Sequence, residues 1–211
     1  MTMPNPNSIL NIAKLHNLID NIINLHDEFT KHWHNADTVP TNINNPFMQT
    51  VAQNHLMNFK LWHIEDIARR TDVNHEIIAN CKHEIDALNQ KRTDYYELID
   101  AHFISQLAKL TNIAEIAPKN TESIGMIIDR LSILSLKIYH MTEELNRRLP
   151  TDNDYSLIED KLTALTHQKL DLVSAVKHLI GEYVDGKKSP MTYKQFKMYN
   201  DPTLNPELYK L

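Results

Sequence analysis

Glycine is almost missing from this chain: Gly125, Gly181 and Gly186 are the only three in 211 residues. Folds rich in tight turns, and the glycine-rich loops that cradle dinucleotides, have almost nothing to be built from, so an all-α protein is expected. Cysteine is scarcer still. Cys81 stands alone, which excludes an internal disulfide and a cysteine-based zinc site and agrees with a reducing compartment. Nowhere do about 18 apolar residues run together, and the N-terminus "MTMPNPNSILNIAKLHNLID" has no basic stretch followed by an apolar one. The expectation is a cytoplasmic protein without a membrane span. An excess of positive charge is also lacking: 22 Lys and Arg stand against 27 Asp and Glu, a formal net charge of -5. No overall field draws the chain to nucleic acid, so any anion site must be local.

What is present is helical periodicity. The chain is long enough for one well-buried core. Apolar residues recur at three and four positions in a first helix, residues 8–35, through Ile12, Leu15, Ile19, Ile22, His26, Phe29 and Trp33. "NADTVPTNINNP" follows as a loop. A second helix spans roughly Phe47 to Arg70, and "TDVN" supplies caps for a third from Asn74 to Leu110. A fourth runs from about Glu122 to Arg148, ahead of Pro150, and a fifth from Leu157 to Val184, with Ser156 and Glu159 spaced as a capping box. Helices three and five align without gaps, Arg92 falling on Lys169 and Asp94 on Asp171. The expected architecture is therefore a single helical bundle of about five helices, with two roughly repeated helical hairpins in a 47–184 core. A non-helical C-terminal tail, 185–211, packs back on the bundle through Tyr193, Phe196, Met198, Tyr199, Leu204 and Tyr209.

The second helix offers the candidate site. Met57, Leu61, Ile64 and Ala68 form its apolar face, and Asn58, Trp62, Glu65 and Arg69 form the strip beside it. A tryptophan in a polar strip points to a partly buried polar seam. In helix three, Arg92 stands where the apolar stripe asks for a hydrophobe. Helix four is apolar on most sides and carries Asp129, Arg130, Lys137 and His140. Charges in core stripes need partners. Glu65, Asp66 and Asp129 face Arg69, Arg92, Arg130, Lys137 and Lys169, an excess of positive charge that an anionic ligand, phosphate or carboxylate, balances. A layer of structural ion pairs that fixes helix register is the alternative.

Other motifs are set aside. "GEYVDGKKS" (181–189) nearly spells a phosphate-binding loop, but Lys188 replaces the hydroxyl residue and the segment ends a helix; its glycines read as helix stops. His63, Glu65, Asp66, Asp129 and His140 lack di-iron spacing, and a single magnesium on Glu65, Asp66 and Asp129 is the better version of a metal site.

"LWHIEDIAR", "IDRLSILSLKIYHM" and "YKQFKMYNDPTLNPELY" together resemble a bacterial family catalogued as domain of unknown function 4254. The likeness covers about residues 50–209 and implies no chemistry by itself. It marks Asn58, Trp62, His63, Glu65, Asp66, Arg69, Asn89, Arg92, Asp129, Arg130, Lys137, His140, Gln195, Lys197, Asn200 and Asp201, and implies a setting in surface-polysaccharide metabolism. The first helix is less clearly part of the pattern.

Two function classes follow. In the first, a small anionic molecule binds at Asn58, Trp62, Arg69, Arg92, Arg130 and Lys137. If the site is catalytic, Glu65 or Asp129 is the base or magnesium ligand and His140 the proton donor. In the second, the seam is internal architecture, and the tail binds a protein partner or a second copy of the chain.

Overall fold

The computed structural model describes residues 6–36, 43–111 and 116–209, with side chains from residue 10 to 208. Five long helices make an all-α bundle: α1 (Pro6–Asn35), α2 (Pro46–Ala68), α3 (His75–Ala108), α4 (Ile124–Asn146) and α5 (Tyr155–Val184). α2 packs chiefly on α3 and α4 on α5, while α1 lies against α4, α5 and α2. The two hairpins expected from the sequence are thus the packing units. Part of the Asn- and Pro-rich loop after α1, residues 37–42, lies outside the described residues, as does the side chain of Tyr209.

Local chemistry sets the helix starts. Asn45 accepts from the amides of Phe47 and Met48, Asn74 from Ile77, and Ser123 from Met126, each satisfying amides that a first turn leaves without partners. α5 departs from the expected capping box: it begins at Tyr155, so Ser156 is already inside it, and Asp154 at its N-cap makes no capping bond. The carboxylate of Asp154 is held instead by Arg148 Nε at 2.8 Å. Gly186, at φ +69°, ends α5 as expected, whereas Gly181 lies within the helix.

The bundle has two apolar cores. The larger joins Ile19 and Ile22 of α1, Val51 of α2, Phe103 of α3, Ile128 and Leu131 of α4 and Ile180 of α5. The smaller gathers Trp33, Leu56, Met57, Leu61 and Leu88. Between Val51 and Leu56 on α2 lie buried Asn54 and His55, with Asn58 one turn further on. A polar layer therefore separates the two cores where α2 is enclosed by its neighbours. α4 reaches α3 very closely at Gly125, where a Cβ would stand 2.1 Å from the carbonyl oxygen of Tyr96.

The tail is irregular apart from two short turns. It contains one 3-10 turn, Met198–Asn200, and one helical turn, α6 (Pro206–Tyr209). Its start is tied to the loop before α4: Ser189 N donates to Pro118 O at 3.0 Å and Tyr193 Oη to Asn120 O at 2.5 Å. It then runs back along α3 with its apolar residues largely outward. Phe196 is 81% exposed, and Met198, Tyr199, Leu204 and Leu208 are exposed as well. The expected apolar anchors therefore do not hold the tail; its polar contacts do.

Candidate functional site

Asn54 and Asn58, one turn apart on α2, present their amides to the same place. Both donate Nδ2–H to Asp129 Oδ1 at 2.9 Å. Asn58 also donates to Ser132 Oγ at 3.0 Å, and Ser132 meets His55 Nδ1 at 2.7 Å. His55 Nε2 in turn meets Thr30 Oγ1 at 3.0 Å, so one polar chain joins α4 through α2 to α1. Arg92 of α3 completes the layer, its Nε 3.8 Å from Asp129 Oδ2. That is an ion-pair distance, too long for a hydrogen bond. Arg92 Nε is buried without a hydrogen-bond partner, although the side chain as a whole is 29% exposed. Burial pushes the Asp129 carboxyl above the usual carboxylate range, opposed first by Arg92 and then by the two Asn amides.

Above this floor opens a cleft of about 390 Å³, walled by Trp62, Glu65, Arg69, Asn89, Arg92 and Ile133. The tail reaches its rim. Lys194 Nζ binds Glu97 at 2.5 Å, and Lys197 Nζ donates to Asn89 O at 2.6 Å. Burial, and then the nearby charge of Arg92, lower the proton affinity of Lys197.

Asn58, Trp62, Glu65, Asp66, Arg69 and Arg92 all line this cleft. Three of the expected cations do not. Arg130 turns outward to Glu122 at 3.3 Å, and Lys169 binds Asp27 at 2.5 Å because α1 stands opposite that part of α5. Lys137 lines the neighbouring groove. The inferred excess of positive charge therefore does not assemble: Arg69, Arg92 and Lys197 meet Glu65, Asp66 and Asp129. Arg69 and Glu65 pair with each other at 2.8 Å on the exposed rim, where such a pair adds little stability. Glu65, Asp66 and Asp129 are not brought together as a magnesium set, and among the described residues no three His, Cys, Asp or Glu side chains stand converged on one metal position.

Trp62 is a shared wall. Its far side lines a second groove of about 540 Å³ with Lys137, His140, Met141, Lys161 and Leu165, and its indole stacks on His140 at 4.5 Å and 8°. His140 thus stands across Trp62 from the cleft lined by Glu65, and Asp129 lies in the buried layer that Asn58 and Arg92 join to that cleft, so the three residues expected to act together do not share one chamber. His140 is instead part of a group that the sequence did not disclose. Its Nε2 lies 3.2 Å from Nε2 of His34, at the end of α1. Its Nδ1 meets Glu143 Oε2 at 3.1 Å, and His34 Nδ1 meets the Thr30 carbonyl at 2.6 Å. The ring of His63 is 5.2 Å from that of His34 and 6.0 Å from that of His140. Burial, and then His34, hold His63 and His140 below the ordinary imidazole range.

Residues 48–192 match the model of a family described as Protein of unknown function (DUF4254). The chain belongs to this family. No curated protein and no solved structure matches it. The DUF4254 span takes in Asn54, Asn58, Trp62, Arg92, Asp129 and His140, whereas His34 precedes it and Lys197 follows it. No helix among the described residues is long and apolar enough to cross a membrane.

Proposed function

We propose that the cleft above Asp129 and Arg92 binds a small anionic ligand, phosphorylated or carboxylated. The carrying observation is the state of Arg92: a guanidinium held in the polar layer with a buried, unpartnered Nε, and a second cation, Lys197, that the tail brings to the carbonyl of Asn89, one turn before Arg92 on α3. Buried donors without partners are costly, and two neighbouring cations repel. An oxyanion between them relieves both conditions, and a guanidinium matches phosphate or carboxylate oxygens in a bidentate way. The cleft volume falls in the range of small-molecule sites, and Trp62 offers a flat face for a base or sugar ring. Nucleotide sugars and sugar phosphates are accordingly the first class to try, as a role in surface-polysaccharide metabolism requires. Asp129, whose burial raises its proton affinity, is the carboxyl group best suited to hold or release a proton there.

The test is thermal melting of the purified protein with nucleotides, nucleotide sugars, sugar phosphates and dicarboxylates, each with and without magnesium. A ligand at a hundred times its dissociation constant stabilises the fold by about 2.7 kcal/mol. One class is expected to raise the melting point, and Arg92→Met to remove the rise. A rise of equal size in Arg92→Met would sink the proposal.

The exposed apolar side chains of the tail favour a second reading, in which residues 193–211 dock on a protein partner or a second copy. Deleting them then removes association measured by analytical ultracentrifugation; unchanged association rejects it.

A further inference from the structure

Hydrogen counting at the His34–His140 pair leads to a conclusion independent of Arg92. A backbone carbonyl only accepts, so the Thr30 carbonyl at 2.6 Å requires that His34 Nδ1 carry a hydrogen. The Glu143 carboxylate also only accepts, and requires one on His140 Nδ1 at 3.1 Å. In two neutral imidazoles each Nε2 is then a bare lone pair, and these lone pairs face each other at 3.2 Å. In two imidazoliums both nitrogens carry hydrogens, which repel in turn. One added proton, and only one, makes the contact an N–H···N hydrogen bond of ordinary length.

The surroundings suit a single charge. On α4, Glu143 is the counter-charge of the pair, and Tyr139 stacks on His34 with ring centres 4.2 Å apart. Lys137 and Glu144 of α4 and Lys161 of α5 border the same groove as His140, and Glu144 is engaged by Arg147 and Arg148. On α2, Trp62 stacks on His140, and His63 packs against Phe59 at 4.5 Å, with the charge of Asp66 near it. After burial itself, the charge of His34 lowers the proton affinity of both His63 and His140, so a group that holds one proton resists a second.

We infer that His34 and His140 share one proton and form a pH-sensitive clamp that ties the last turn of α1 to α4. The bond exists only between two protonation steps of the pair. The first proton is bound above the ordinary imidazole value of about 6.5, because the folded pair gains a hydrogen bond by taking it; the second is bound below that value, because it destroys the bond. Stability from the first step is therefore lost as pH rises through its folded value, and stability from the second as pH falls through its own. The clamp is closed in a window that includes about pH 6.5 and opens on either side. Opening releases the ring that stacks on Trp62, the wall common to cleft and groove.

The test is the imidazole ¹⁵N and ¹H spectrum of the unaltered full chain, followed from about pH 4 to about pH 9. Two linked steps are expected, both seen by both rings, with the second proton bound at least about tenfold more weakly than the first. Between the steps both Nδ1 carry a hydrogen, and the two Nε2 signals lie between those of a protonated and a bare nitrogen. In His34→Phe, which keeps a ring beside Tyr139, His140 titrates in one step. Protection of the last α1 amides from hydrogen exchange, corrected for intrinsic rates, is highest between the two steps in the unaltered chain and declines on both sides. Independent single steps of the two rings overturn the shared proton, and so do two bare Nε2 nitrogens at about pH 6.5; neither result depends on a variant that folds. Protection that stays constant across both steps overturns the clamp.

Discussion

Gly125 is the residue whose side chain, or lack of one, sets how closely α4 approaches α3. A methyl group there meets the Tyr96 carbonyl oxygen at 2.1 Å and the Asp100 carboxyl at 2.9 Å, and the Gly125 amide donates to Asp100 Oδ1 at 2.6 Å. Backbone cannot yield as a flexible side chain does, so Gly125→Ala must push the two helices apart. The expected cost is about 1–3 kcal/mol or more, read as a lower urea midpoint with unchanged slope; an unchanged midpoint would show that the helices separate freely. At this scale the sequence disclosed part of the site. Arg92 announced itself by interrupting an apolar stripe of α3, and Asn58 and Trp62 by sharing a polar strip of α2 with Glu65 and Arg69. His34 gave no such signal, because one histidine among 12 carries no mark of a partner 106 positions away.

At the scale of elements, periodicity tells which side of a helix is covered but not which helix covers it. That is why the hairpins and the Asn74 cap could be read, while the α5 cap and three of the expected cations were misplaced. Lys169 is inward, as its stripe required, but its neighbour is α1 and its partner Asp27; Arg130 borders the core yet pairs outward with Glu122. The tail misleads for a related reason. Its apolar residues suggested a segment held by burial, whereas Lys194 and Lys197 hold it through Glu97 and the Asn89 carbonyl. A segment held mainly by polar contacts contributes little to the core, so deletion of residues 193–211 should leave the helical circular dichroism of α1–α5 intact while opening the Arg92 rim. Collapse of that signal would mean that the tail supports the bundle.

For the whole molecule, buried titratable groups make stability depend on pH. His26 is fully buried with both ring nitrogens unpartnered, and burial, then Lys169, lower its pKa from 6.5 to about 3. His55 is lowered as well, by burial first. Below pH 6.5 the unfolded chain binds protons that these folded rings refuse. The contribution of His26 is therefore complete above pH 6.5 and is lost as pH falls toward 3, at up to about 1.4 kcal/mol per unit, and His55 acts in the same direction. Asp100 acts in the other direction. Its folded pKa is raised from 3.8 to about 6, mainly by burial, so its contribution is greatest below pH 3.8 and is lost as pH rises to 6. Relative to the unaltered chain, His26→Leu should gain about 1.4 kcal/mol for each unit below pH 6.5, visible as a flatter acid limb in melting temperature. Parallel acid limbs in the two proteins would show that His26 stays neutral in both states.

One indole stands between the two chambers of this bundle. Any rotation of Trp62 that enlarges the cleft beside Arg92 narrows the groove beside His140, and the reverse is equally true. Occupants of the two spaces therefore compete for the torsion angles of a single side chain. Whatever one occupant does to the affinity of the other, the second does to the first by the same factor, so neither chamber can be tuned without retuning its neighbour.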